Sequence, residues 1–555
     1  MQYSDILLTL LKNRGINTAL EAETFISPNY DLHTHDPFLM RDMEKVVERV
    51  YRAIKNNEKI LIYSDYDADG IPGAVILHDA FKKIGYKNFE NYIPHRHDEG
   101  FGLNLEAIDG FRESGVKLLI TIDCGIANIA EVTHAKNSDI DVIITDHHVP
   151  DKKLPPAYAI LNPKLDDCKY PEKMLCGSGV IFKFVQAFYK KYGAEFGVTI
   201  GHEKWFLDMV GIATLSDMVP LTGENRTFAY YGLKVLKKTP RPGLSEIFSK
   251  LRIKREHITE DDIGFTISPR INAASRMGHP DTAFNLLSTN DPILARTYAD
   301  ALEHVNNERK GTVASLVKEI KKILFERNAE GKISEKKVIV LGNPSWRPSL
   351  LGLVANTFAD EYDKPVFLWG RDGDGCIKGS CRSGRGGSVL EIMQKAENSF
   401  SHYGGHAFSG GFEVNDDAIH TLEENLEKAC TEIDHKQILV EKKADAEISL
   451  DDISWNLYGD VEKLSPYGTG NTKPVFLVKN ALVETVKSFG KENNHIELIL
   501  RDSKNRKVSA IQFFSQKSDL PKSVMPKASI NLLVHIEKSM FKNYPELRLR
   551  IVDIL

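Results

Sequence analysis

Cysteine is scarce in this sequence, and its placement builds nothing. Six cysteines lie in 555 residues, at 124, 168, 176, 376, 381 and 430, and no two are spaced as C-x-x-C. That argues against a disulfide framework or a thiolate zinc site and fits free thiols in a reducing compartment. Long apolar runs are also missing, and none approaches the roughly 20 residues needed to cross a bilayer. The N-terminal MQYSDILLTLLKNRG is amphipathic and lacks the apolar stretch of a secretory signal. The expectation is therefore a soluble, cytoplasmic protein with no membrane span. Excess positive charge is absent too. A formal net charge of −5 excludes a chain coated in basic residues, but not a local basic groove beside acidic ligands. Internal repeats and low-complexity segments are lacking.

What is present is alternation. Residues 1–48 read as a helical segment that leads into the first core strand. From 49 to 290, β-branched runs such as KILIYSD, KLLITID and DVIITD alternate with helical stretches, the pattern of a parallel sheet in an α/β domain. Residues 291–330 read as one long polar helix without proline after Pro292, and so little apolar surface suggests a bridge between domains. A second α/β domain follows over 331–438, with strands at KVIVLG and PVFLWG and glycine-rich loops at 370–388 and 404–411. From 439 to 555 short strands separated by turns predict a small β-barrel.

Three apolar runs end in aspartate where a parallel strand should end: Asp65, Asp67 and Asp69 in SDYDADG, Asp123 in ITIDCG, and Asp146, His147 and His148 in ITDHH. Asp217 in GIATLSDMVPL is a fourth candidate. Ligands of open α/β sheets gather beyond the carboxyl ends of the strands, so these side chains should converge. An aspartate after a strand is also a common turn former or helix cap. Three such strand ends with a double histidine make a pattern that turn chemistry does not require. Clustered carboxylates repel one another unless cations lie between them, and carboxylates mixed with imidazoles suit Mn²⁺ or Mg²⁺. Two such ions can clamp the attacking and leaving oxygens of a phosphoryl centre, so the implied chemistry is phosphoester hydrolysis.

At these residues the sequence resembles the DHH phosphoesterase superfamily, and within it the RecJ family. DYDADG at 65–70, IDCG at 122–125, TDHH at 145–148 and ATLSDMVPL at 213–221 are similar to its four acidic motifs. SPRINAASRMG at 268–278 and EGFGLN at 99–104 resemble RecJ segments. GGHAFSGG at 404–411 resembles the signature of the DHH-associated domain, and SPYGTGNTKPVF at 465–476 the entry to the RecJ OB-fold. Pro72, Ser275, His279 and Ser409–Gly410 depart from the usual pattern, and none is a presumed ligand.

The resemblance implies a DHH domain, a bridging helix, a DHH-associated domain and a C-terminal OB-fold. It also implies a single-stranded-DNA-specific exonuclease of DNA repair and recombination, working 5′ to 3′ with two ions, Mn²⁺ or Mg²⁺, and releasing 5′-mononucleotides. Metal binding falls to Asp65, Asp67, Asp123, His147 and Asp217. Asp69 is grouped with these ligands, and Asp146 with His148 as the catalytic pair at the substrate phosphate. Single-stranded DNA is the implied partner of a monomer, with a helicase or single-strand-binding protein as candidate associates. Two other readings are a DHH phosphodiesterase of short oligonucleotides or cyclic dinucleotides, and a non-catalytic single-strand-binding scaffold. The first generally lacks the extra β domain, and the second has lost ligands that this chain retains.

Candidate phosphate contacts are Arg270, Asn272 and Arg276, since arginine suits bidentate phosphate contact and asparagine adds a directional bond. In the cationic stretch KGSCRSGRGGS, Arg382, Ser383 and Arg385 with freed backbone amides would cradle a terminal phosphate. By resemblance His406 approaches the strand from the side opposite the metals, and Arg96 contacts a phosphate near the cleft. Phe476, Phe513 and Phe514 are aromatic residues of the barrel that stacking or the core would use.

Overall fold

The run KILIYS forms a strand because both its faces are covered, which is why it reads as continuous apolar residues instead of alternating ones. In this computed structural model it is β1 (Lys59–Ser64), beside β2 (Phe89–Tyr92), β3 (Val116–Ile122), β4 (Asp141–Thr145) and β5 (Ala159–Leu161). All five are parallel, in the order β2-β1-β3-β4-β5. The structure describes residues 3–329, 336–373, 375–384, 387–433, 443–490, 493–521, 523–540 and 544–555. Helix α1 (Gly70–Lys83) follows β1 and packs on α2 (Gly177–Tyr192) and α3 (Leu207–Ser216), while α4 (Ser268–Met277) packs on α5 (Pro292–Ala329).

Helix α5 is the long polar helix expected from the sequence. Ala295, Ala299 and Leu302 are buried in its first half, and Leu316, Ile320 and Leu324 in its second. The second-half residues share a core with α6 (Pro348–Tyr362) and with one face of a second sheet. That sheet comprises β6 (Ile339–Gly342), β7 (Val366–Arg371), β8 (Ile377–Arg382), β9 (Phe400–Gly405) and β10 (Ser409–Val414), in the order β6-β7-β8-β10-β9. Along β6, Ile339 and Leu341 enter the core containing α6, while Val340, with Val338 just before the strand, enters the core on the other face. Side chains alternate along a strand, so two covered faces produce an unbroken apolar run.

The third sheet comprises β11 (Ala446–Ile448), β12 (Phe476–Phe489), β13 (His495–Arg501), β14 (Lys507–Phe513), β15 (Ser529–Ser539) and β16 (Glu546–Ile554). Its order is β11-β12-β13-β14-β16-β15, and pairing of β12 with β15 closes the barrel. No helix among the described residues is long and apolar enough to cross a membrane.

Two compact units result: Pro37–Asp217 with Val235–Val440, and Met1–Asp36 with Met218–Lys234 and Glu441–Leu555. This revises the expected segment 1–48. Leu7, Leu10 and Leu11 share a core with Phe476 and Val478 of the barrel, so the first helices complete the barrel. The helix Met43–Lys55 instead packs on α2, across the expected boundary at 48. A second revision concerns 370–388. Much of that expected loop is β8, paired on both sides with β7 and β10, and 404–411 is largely the β9–β10 hairpin.

Candidate metal centre

The carboxyl edge of the first sheet gathers the acidic residues, and each is held by a different device. The Asp65 amide donates to the Ile122 carbonyl (3.0 Å), so β1 stays in register up to its first aspartate. Asp67 Oδ1 accepts from the amides of Asp69 (2.7 Å) and Gly70 (3.1 Å), an Asx turn that opens α1. Asn272 of α4 secures the same turn, its Oδ1 accepting from the Ala68 amide at 2.8 Å. Asp69 takes the first amides of α2 on its two oxygens, Gly177 at 2.6 Å and Ser178 at 2.7 Å. A helix N-terminus is a ready site for such a carboxylate. Gly177 is required there, because a Cβ on it would lie 2.5 Å from the Asp123 Cβ.

Asp123 itself has φ of 62°, a left-handed conformation unusual for a residue with a side chain. Its amide donates to the Thr145 carbonyl at 2.9 Å. Asp146 has its oxygens taken up by protein donors: Oδ2 accepts from the Ile126 amide (3.0 Å), and Oδ1 from the amides of His147 (2.7 Å) and His148 (3.1 Å). Oδ1 also lies 2.7 Å from His148 Nδ1. That leaves His148 Nε2 on a side chain 44 % exposed.

His147 sits among the acids. Its Nε2 is 3.1 Å from Asp123 Oδ1 and 3.7 Å from Asp69 Oδ2, and its Nδ1 is 3.8 Å from Asp217 Oδ2. Asp217 caps the C-terminus of α3. Three sets of ligand atoms lie within 4.8 Å of one another: Asp65, Asp67 and Asp123; Asp69, His147 and Asp217; and Asp123, His147 and His148.

Burial and mutual repulsion distort the acid–base behaviour. Burial, with Asp67 nearby, pushes Asp65 well above the usual carboxylate range; burial and the four surrounding aspartates do the same to Asp123. Asp69 rises to about 6 and Asp217 to about 8, from burial and neighbouring carboxylates. Burial and the His148 charge push His147 down to about 3. Burial opposes charging of His148, but its hydrogen bond to Asp146 raises it to about 9. Against the cost of burial, the same bond holds Asp146 below its ordinary value.

Asp65 Oδ1, Asp123 Oδ1 and His147 Nδ1 are buried without a hydrogen-bond partner. Leaving such atoms bare costs about 1–3 kcal/mol each, more for charged groups, and a bound cation would offset this. The donors are oxygen and imidazole nitrogen only, which suits Mn²⁺ or Mg²⁺.

A second, basic feature lies beside the acids. The Arg96 guanidinium lies 5.0 Å from the centre of the Tyr66 ring. Arg276 Nη1 donates to the Ser349 carbonyl at 2.8 Å, joining α4 to α6. Burial, together with the charge of Arg96 and more weakly of Arg309 and Arg382, pushes Arg276 down to about 9, with Asp67 opposing. Arg382 ends β8, and its Nη2 lies 2.9 Å from where a Cβ on Gly352 would sit. Burial lowers its pKa as well. Arg96, Arg276 and Arg382 form no ion pair with a carboxylate among the described residues.

Other expected contacts are placed differently. Arg270 is corrected: its guanidinium pairs with Glu303 of α5 (2.6 and 3.2 Å) and donates to the Thr266 carbonyl just before α4 (2.7 Å), so these donors are taken up within the protein. Asn272 braces the first acidic turn. Ser383 is buried, its hydroxyl donating to the Gly384 carbonyl at 2.9 Å. His406 is exposed at the β9–β10 turn, its amide donating to the Ser409 carbonyl at 2.8 Å. Arg385 lies outside the described residues.

Sequence reasoning missed two neighbours of the acids. Buried Asn162 donates from Nδ2 to the His148 carbonyl (2.9 Å), and its Oδ1 accepts from the Lys164 amide (2.8 Å). Lys164 thereby stands beside the centre, where the charges acting on it are Asp217, Asp146 and Asp123. The available signal was the LNPK that ends β5, the strand paired with the one carrying Asp146.

Hard ligands grouped to share cations, with unneutralised arginines alongside, define a divalent-metal phosphoesterase, and the triplet at 146–148 marks the DHH class. The family "DHH family, N-terminal domain" matches residues 59–214, "DHHA1 domain" residues 335–437, and "RecJ OB domain" residues 444–553. A "Single-stranded-DNA-specific exonuclease RecJ" of Bacillus subtilis is 32 % identical over 556 residues, covering 100 % of this chain and 68 % of that protein. The chain belongs to the RecJ family. The crystal structure of RecJ from Thermus thermophilus in complex with Mn²⁺ shares its fold, with a TM-score of 0.82, 24 % identity and coverage of 99 % of this chain and 76 % of that one. A further structure, exonuclease RecJ bound to manganese, is 28 % identical with a TM-score of 0.60, covering 71 % of this chain and 96 % of that one.

Proposed function

We propose that this protein is a single-stranded-DNA-specific exonuclease that hydrolyses phosphodiester bonds from the 5′ end and releases 5′-mononucleotides. The observation that carries this reading is the set of bared ligand atoms around Asp123 and His147, adjoining arginines without carboxylate partners. Asp65, Asp67 and Asp123 would hold one divalent ion, and Asp69, His147 and Asp217 the other. When bound, Mn²⁺ or Mg²⁺ activates water at neutral pH and neutralises charge on the attacking and leaving oxygens.

The chain's own groups do the rest. Asp146 fixes Nδ1 of His148, so Nε2 can present a proton to a non-bridging oxygen of the scissile phosphate. Arg276, Arg382 and Arg96 bind the phosphate of the 5′ end, with His406 at the rim of the same subsite. Asn272 keeps the first acidic turn in position. The 5′ polarity rests on membership of the family. In the cell the protein would act in the cytoplasm as a monomer in DNA repair and recombination, on strands supplied by a helicase or a single-strand-binding protein.

End-labelled strands with Mn²⁺ test the reading. A 3′-blocked single strand should be degraded to mononucleotides, while a blunt duplex and a circular single strand should resist. Digestion from the 3′ end, or cutting of the circle, would overturn the assignment.

A further inference from the structure

The main chain of Arg276 is bound as closely as its side chain. It stands in the last turn of α4, where the Gly278 amide donates to the Ala274 carbonyl (3.0 Å) and ends the helical ladder. The final carbonyls of a helix need partners from elsewhere. Two side chains meet that need: Ser349 Oγ donates to the Arg276 carbonyl at 2.9 Å, and His97 Nε2 lies 3.1 Å from the same oxygen. A carbonyl only accepts, so that nitrogen of His97 carries its proton. The exchange with Ser349 is reciprocal, because Arg276 Nη1 donates to the Ser349 carbonyl at 2.8 Å. Two bonds thus close a ring between the last turn of α4 and the first turn of α6, and Ser349 is buried within it.

The braces hold Arg276 where its own charge is unwelcome. It is buried near the like charges of Arg96, Arg309 and Arg382, and no carboxylate pairs with it among the described residues. Unbraced, so long a side chain would swing away from them. With Nη1 spent on Ser349, the plane of the guanidinium is fixed and its remaining N–H groups keep one direction. Donors fixed before an anion arrives lose less freedom on binding it. Ser349 belongs to the DHH-associated domain matched at 335–437, and His97 to the DHH domain matched at 59–214. One arginine is therefore braced from both domains.

We propose that Ser349 and His97 are positioning residues for Arg276: they hold its guanidinium ready for the 5′-phosphate, so that discrimination between 5′-phosphorylated and 5′-hydroxyl strands depends on both α/β domains. The inference rests on the exonuclease reading. A merely structural role would lower activity on both kinds of strand equally and leave their ratio unchanged.

The experiment takes one single-strand sequence with a 5′-phosphate or a 5′-hydroxyl and measures kcat and KM on each with Mn²⁺. The wild type should favour the phosphorylated strand by at least about tenfold in kcat/KM, the worth of a charged hydrogen bond. Ser349→Ala and His97→Ala should each lower that ratio about three- to tenfold, the worth of one neutral hydrogen bond, chiefly through KM on the phosphorylated strand. Ser349→Thr and His97→Gln, which keep a donor, should retain most of the ratio. In an Arg276→Ala background, Ser349→Ala should change the ratio by less than about twofold. An unchanged ratio in both alanine variants overturns the inference, as does an equal fall in the Arg276→Ala background. A wild type that cuts both strands alike overturns it too. Failure to degrade any single strand from its 5′ end would instead overturn the exonuclease reading.

Discussion

Asp146 and His148, two residues apart, form a closed unit in which Asp146 Oδ1 lies 2.7 Å from His148 Nδ1 while also accepting both amides of the turn between them. The carboxylate thus sets the tautomer and direction of the imidazole, as partners behind catalytic histidines commonly do. Asp146→Asn and His148→Ala should each lower kcat by about 10²–10⁴-fold, the usual worth of a positioned proton donor. Because the two act as one unit, the double variant should be little worse than either single one. Additive losses would separate their roles.

Metal dependence should follow from the repelling aspartates. Asp123→Ala should abolish hydrolysis while circular dichroism stays native, and EDTA should do the same reversibly to the wild type. Residual turnover within tenfold of wild type would remove Asp123 from the centre.

The same repulsion predicts a pH dependence. Asp217 titrates near 8 in the folded chain, far above its ordinary 3.8, so between those values the folded state holds more protons than the unfolded one. Stability contributed by its neutral form is therefore lost as pH rises towards 8. His148, raised to about 9 from 6.5, acts in the same direction over pH 6.5–9. His147, at about 3 when folded, is neutral in both states above its ordinary 6.5 and drops out. In EDTA the Tm should fall from pH 6.5 to 8, and the gain in Tm on adding Mn²⁺ should grow over that range. Calorimetry at the two pH values checks this; a metal-induced gain that shrinks with pH contradicts it.

The arginines should separate into two kinds. Arg382→Ala and Arg276→Ala should cost at least tenfold in kcat/KM on 5′-phosphorylated strands, with a smaller loss on 5′-hydroxyl strands, because a charged hydrogen bond to phosphate is worth roughly 1.5–3 kcal/mol. Arg270→Ala should act on stability, costing roughly 1–3 kcal/mol by leaving Glu303 without its partner. A phosphate-dependent loss in Arg270→Ala would reverse this division.

In the barrel, Phe514 and Phe476 should behave oppositely. Phe514 is 85 % exposed at φ 55°, with its amide donating to His495 Nδ1 at 3.0 Å. Nearby, Arg548 and Arg550 lie over Phe513. Phe514→Ala should weaken binding of a single strand in EDTA by about tenfold, with little loss of Tm. Phe476 is fully buried in the barrel core, and Phe476→Ala should cost about 3–5 kcal/mol. Fluorescence anisotropy and thermal melts distinguish the two.

The sequence by itself determined the parallel strands, the barrel strands, the long helix and the acidic and imidazole groups that gather at the sheet's carboxyl edge. These are legible because burial on both faces demands unbroken apolar runs, and because hard cations demand carboxylates at strand ends. Only the tertiary structure decided which of those groups remain available. Asp69 meets the first amides of α2 across more than a hundred residues, Arg270 meets Glu303, and Arg382 stands at the end of a strand instead of in a loop. Leu7, Leu10 and Leu11 close a core made mainly of residues beyond 445. Asn162 and Lys164 join the centre through partners that no local pattern names. The physical reason is common to all of them. A residue's type fixes what bonds it can make, but which bonds it does make depends on donors and surfaces that folding brings from distant parts of the chain.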